Sequence, residues 1–117
     1  MKIFLDDKRN PPDNSWKVVR SYNDFVKLVE TTPHIITQIA FDHDLGLESD
    51  GKTEAKNGYD AAKFFVNYVM DHDPKMGEML EAVYSQSDNP GGRENILAYF
   101  RSAKKHGKVN PDLIIES

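Results

Sequence analysis

Residues 36–46 read ITQIAFDHDLG. The first six are mostly apolar and rich in β-branched residues, the composition of a short buried strand. The strand stops at an acid, and Asp42, Asp44 and Gly46 follow as Asp-x-Asp-x-Gly. Residues 2–7, KIFLDD, have the same form: a three-residue apolar run after Lys2, closed by Asp6 and Asp7. In a parallel sheet, two such strands end at one edge, so the fold decides whether the acids meet.

Further strands are expected at WKVVRS (16–21), within EAVYSQ (81–86) and at DLIIE (112–116). Between KIFL and WKVVRS lies RNPPDNS (9–15), whose prolines and Asn residues exclude a helix. Ser21 is expected to cap a helix with Phe25, Leu28 and Val29 on its apolar face, ended by Pro33. The polar segment Leu45–Lys56, with Gly46 and Gly51, reads as a loop. Asn57 is an expected N-cap for a second helix, since Ala61, Phe64, Phe65, Tyr68 and Val69 recur at helical spacing. Pro74 is expected to stop it. Pro90 suits the first turn of a third helix with Ile96, Tyr99, Phe100 and Ala103 inward, and Gly107 is its expected C′ residue. The order β, β, α, β, α, β, α, β predicts an α/β fold, a mostly parallel sheet covered on both faces.

With 117 residues, the chain is expected to be a single domain, 1–117. It has no cysteine, which excludes disulfides, thiolate metal sites and a Cys nucleophile and agrees with a reducing cytoplasm. A net charge of −4 makes a generic nucleic-acid-binding surface a poor fit. The apolar N-terminal run is too short for a signal peptide, and no stretch reaches membrane-spanning length, so no membrane partner is expected.

If the first and third strands are neighbours, Asp6, Asp7, Asp42 and Asp44 converge. Carboxylates that close require a cation or protons. Oxygen ligands without thiolate point to Mg²⁺ or Mn²⁺. Asp-His-Asp occurs again at 71–73, but there it ends a helix before a proline, and a solvated terminus is the reading. Lys8 and Arg9 are candidate anion clamps. Ser87-Asp88-Asn89-Pro90-Gly91-Gly92 follows the fourth strand, so the Ser87 hydroxyl, Asn89 and the N–H groups at Gly91 and Gly92 are a candidate phosphate cradle. His43 is a candidate ligand or acid/base. His34 and His106 have no supporting context, and Trp16 is expected to pack the sheet.

LDDKRNPP, the Trp-led strand, FDHDLG and SDNPGGRENI together resemble the cyclic-phosphate-processing receiver domain, a divergent relative of response-regulator receivers. The resemblance spans nearly the whole chain. It implies a flavodoxin-like, three-layer sandwich, a divalent-metal pocket and action on, or recognition of, a phosphate ester. By position, Asp6 and Asp7 match the receiver's metal-binding pair, and Asp42 matches the aspartate that ordinary receivers phosphorylate. Asp44 lies two residues further on, and Ser87 matches the Ser/Thr that contacts the phosphoryl group. Two positions depart from the pattern. The residues around Glu116 and Ser117 lack the usual lysine, and Gln86 stands where this family often has His. The loop at 9–15 also replaces the first receiver helix.

The expected function is divalent-metal-dependent phosphoester processing. Asp6, Asp7 and Asp42 would hold the metal, and Asp42, His43 and Asp44 would carry the chemistry. Lys8, Arg9, Ser87, Asn89, Gly91 and Gly92 would hold the phosphate of a small ligand or a nucleic-acid end. The alternatives are a non-catalytic phosphate- or nucleotide-binding module and a phosphoacceptor signalling domain.

Overall fold

The computed structural model describes residues 1–46 and 56–117. In chain order these form β1 (Lys2–Leu5), β2 (Trp16–Val19), α1 (Tyr22–Thr31), β3 (Gln38–Phe41), α2 (Gly58–His72), α3 (Pro74–Met79), β4 (Ala82–Ser85), α4 (Pro90–Lys105) and β5 (Ile114–Glu116). Residues 47–55, within the loop expected at Leu45–Lys56, lie outside the described residues.

The helices start where their caps dictate. The Ser21 hydroxyl accepts the Asp24 N–H at 3.1 Å and opens α1. Asn57 and Asp60 form a reciprocal capping box at α2, with bonds of 2.9 and 3.0 Å. The Asn89 side chain accepts the Gly92 N–H at 3.0 Å, and Pro90 occupies the first turn of α4. Gly107, at φ 72°, supplies the left-handed residue after α4. Pro74 does more than end α2: it opens α3, a six-residue helix absent from the sequence reading. The physical reason is that proline lacks an N–H that the first helical turn does not need. The strands are also shorter than expected; β3 begins at Gln38 rather than Ile36, and β5 at Ile114 rather than Asp112.

All strand pairs are parallel and the order is β2-β1-β3-β4-β5. This is the flavodoxin-like order, with its switch point between β1 and β3. The register aligns Leu5 with Phe41 and Phe41 with Ser85, so residues 6, 42 and 86 leave the sheet side by side.

The pleat divides the strands into two faces. Ile3, Leu5, Val19, Ile39, Phe41 and Val83 point to the face that α1, α2 and α4 cover, where they meet Phe25, Val29, Phe65, Val69, Ile96 and Phe100. Phe41 lies between two rings, 5.7 Å from Phe25 and 5.5 Å from Phe100. Burying each such side chain contributes about 1.5–3 kcal/mol. The other face holds Phe4, Ala40 and Ala82, all buried. There Trp16 reaches across the sheet, edge-on to Phe4 at 6.0 Å and to Tyr84 at 6.3 Å. Among the described residues the helical layer is confined to the first face. The β1–β2 crossover is loop, as its prolines predict, so the expected helical cover of both faces is not met among the described residues.

Candidate metal and phosphate site

The β1–β3 switch point sets two buried carboxylates side by side. Asp6 follows β1 and is fully buried; Asp42 follows β3 and is 5% exposed. Both are held by backbone pairing, since the Asp6 N–H donates to Val19 O and the Asp42 N–H to Leu5 O. Asp7 completes a group whose ligand oxygens all lie within 4.8 Å of one another. Asp6 is further fixed by its own loop: Oδ1 accepts the backbone N–H of Lys8 at 2.9 Å and of Arg9 at 2.8 Å. Arg20, just after β2, donates to the carbonyls of Asp6 at 3.2 Å and Arg9 at 2.5 Å and to Asn10 Oδ1 at 3.0 Å. One guanidinium thus staples the loop that replaces a helix.

The electrostatics fit a cation. Burial pushes the Asp42 carboxyl up to about 6, and the neighbouring charges of Asp6 and Asp7 push the same way against the opposing Arg9. A divalent cation would relieve that cost, and an all-carboxylate donor set suits a hard ion.

A pocket of about 230 Å³ opens here, lined by Asp6, Asp7, Lys8, Arg9, Asp42, Asp44, Ser87 and Asp88. Arg9 spans it. Nη1 lies 3.4 Å from Asp6 Oδ2 and 3.8 Å from Asp42 Oδ1, while Nη2 lies 2.5 Å from Asp88 Oδ2. Of the residues that the sequence singles out, this lining brings together the three metal candidates, Asp44, Lys8, Arg9 and Ser87. It does not include His43, Asn89, Gly91 or Gly92. His43 lies against Gly92, so closely that a Cβ on that glycine would run into the imidazole ring. Its Nδ1 is 2.8 Å from Asp44 Oδ1, which links it to the pocket through one carboxylate. Asn89 already caps the Gly92 N–H. Ser87 is buried, and its Oγ accepts the Asn89 N–H at 3.1 Å.

Asp88 and Arg20 were not singled out from the sequence. Asp88 sits inside the quoted SDNPGG, but a lone exposed acid gives no signal until Arg9 is placed opposite it. Gln86 leaves the sheet level with Asp42; its amide reaches toward Leu5 O at 3.4 Å and Asp6 Oδ2 at 3.5 Å, and its buried Oε1 has no partner among the described residues. The second Asp-His-Asp is elsewhere. Asp71 and His72 line an outer groove between α1 and α2, and His72 stacks on Tyr68.

The family model described as the cyclic-phosphate processing Receiver domain matches residues 1–102. No curated protein and no solved structure was found to match the chain.

Proposed function

The chain belongs to the cyclic-phosphate processing receiver domain family, and from that premise we propose that its acidic pocket processes a phosphoester with the help of Mg²⁺ or Mn²⁺. In this reading residues 1–117 act as one receiver-like domain, and the ligand is a small cyclic or linear phosphate or a nucleic-acid end. The setting is cytoplasmic, which agrees with the cysteine-free chain. No helix among the described residues is long and apolar enough to cross a membrane.

The observation that carries the reading is the convergence of Asp6, Asp7 and Asp42, two of them buried, at the switch point of the sheet. These three would hold the cation. When bound, it would polarise a phosphoryl oxygen and favour ionisation of water. Lys8 and Arg9 flank the pocket and supply positive charge to a phosphate. The Ser87 hydroxyl borders the same opening, whereas Asn89, Gly91 and Gly92 lie outside its lining and the Gly92 N–H is held by the Asn89 side chain. Asp44 faces the pocket and shares a hydrogen bond with His43, so this pair can take and return a proton. Asp42 serves as a ligand or attacks phosphorus directly, in which case the ester oxygen leaves with a proton from the His43–Asp44 pair.

One observation favours a second reading, a non-catalytic phosphate-binding module. Gln86 occupies the place where the family often has His, and an amide cannot transfer a proton as imidazole does. A panel of cyclic and linear phosphoesters assayed with Mg²⁺ and Mn²⁺ separates the two. The enzyme reading expects metal-dependent turnover that Asp42→Ala abolishes and Asp71→Ala leaves unchanged. Tight phosphate binding without turnover would establish the module instead. Full activity in Asp42→Ala would refute the site.

A further inference from the structure

We propose that Arg9 is an internal counter-ion which a divalent cation must displace, and that its release couples metal entry to phosphate capture; this rests on the metal-site reading above. The geometry is specific. The guanidinium bridges three segments: Asp6 after β1, Asp42 after β3 and Asp88 before α4. It therefore neutralises two of the three carboxylates that would ligate a metal. Arginine stays charged at all ordinary pH values, so the contact is not relieved by deprotonation.

A cation held by Asp6 and Asp42 would stand in direct contact with their oxygens. A guanidinium 3.4 Å from the same Asp6 oxygen would then face a double positive charge at close range. The root of the side chain cannot follow it out, because the Arg9 N–H is bonded to Asp6 Oδ1 at 2.8 Å. Only the arm moves. Its open direction is marked by its outer contact, Asp88, which is 97% exposed and adjoins Ser87 in the pocket wall. That is the side on which a phosphate would enter. A freed guanidinium offers paired N–H donors that match phosphate oxygens. Metal binding therefore creates the anion site, and by linkage an anion strengthens metal binding.

The test is calorimetric titration of Mg²⁺ into the full chain, without phosphate and then with inorganic phosphate. Wild type, Arg9→Gln, Arg9→Lys and Lys8→Gln are compared. Lys8 also lines the pocket, but its side chain makes no ion pair among the described residues, so Lys8→Gln measures the effect of lost charge alone. Without phosphate, Arg9→Gln should bind Mg²⁺ about tenfold more tightly than wild type, and clearly more tightly than Lys8→Gln. Arg9→Lys, which keeps the charge but not the fork, should fall between wild type and Arg9→Gln. It carries the test if the glutamine variant does not fold. Phosphate should tighten Mg²⁺ binding in wild type and have little effect in Arg9→Gln. An Arg9→Gln affinity equal to or weaker than wild type, or no stronger than that of Lys8→Gln, overturns the proposal. A wild type that binds no Mg²⁺ overturns the metal-site reading itself, and this proposal with it.

Discussion

Asp42 carries the clearest consequence at the scale of a single residue. Its carboxyl, pushed up to about 6 mainly by burial, binds a proton more tightly in the folded chain than in the unfolded one. The folded state therefore holds the extra proton between the ordinary carboxylate range and pH 6. Metal-free stability is highest below that window, falls as pH rises through it, and levels off above it. A shift of about 2 units corresponds to roughly 3 kcal/mol at most. Urea midpoints in chelator at pH 4.5 and 7 should show this loss in wild type and not in Asp42→Asn. Equal pH dependence in the two proteins would mean that Asp42 titrates normally. Metal affinity should run the opposite way and rise with pH through 6, because the cation competes with the proton. The acids themselves were legible, since Asp6, Asp7 and Asp42 each follow an apolar run. Their electrostatic partners were not. Arg9 reads from the sequence as an anion clamp, and only the folded loop turns it back onto Asp6 and Asp42.

Among the elements, α2 bears most directly on the site. Its first residue, Gly58, donates its N–H to the His43 carbonyl at 2.8 Å, and a Cβ there would run into the backbone oxygen of Asp42. The helix start and the metal-side strand end are thus in backbone contact, with no room for a methyl group. Gly58→Ala should destabilise the protein by about 2 kcal/mol or more, since helix and strand must separate. It should also weaken metal binding, because Asp42 moves with its backbone. Thermal unfolding and a metal titration check both effects; a near-neutral substitution would show that α2 can shift without disturbing Asp42. Caps and periodicity made the three long helices legible, with Ser21, Asn57 and Pro90 marking their starts. The short α3 was not. A proline after an acid-rich helix end reads as a stop, and KMGEM has too few residues to show a period.

Taken whole, the described residues form a receiver sheet with its helices gathered on one face. Strand alternation implied the parallel sheet, and also a helical layer on the second face that the described residues lack. That face depends on Trp16, which lies over Phe4 and meets Tyr84, with Lys2 Nζ 4.7 Å from the indole centroid. Trp16 was expected to pack the sheet, and it does; its reach across neighbouring strands to Tyr84 shows only in the folded sheet. The topology matters for function because it places β1 beside β3 and so brings the acids of two distant segments together. The central claim is that this convergence makes a metal site. Its most direct test is calorimetric titration of Mg²⁺ and Mn²⁺ into wild type and the Asp6→Ala/Asp42→Ala double variant, with folding of both checked by circular dichroism. Saturable binding in wild type, absent from a folded double variant, is the outcome expected. Equal binding by both would place the metal elsewhere, and no binding by wild type would leave Asp6 and Asp42 as buried acids paired with Arg9 and Asp7 beside them.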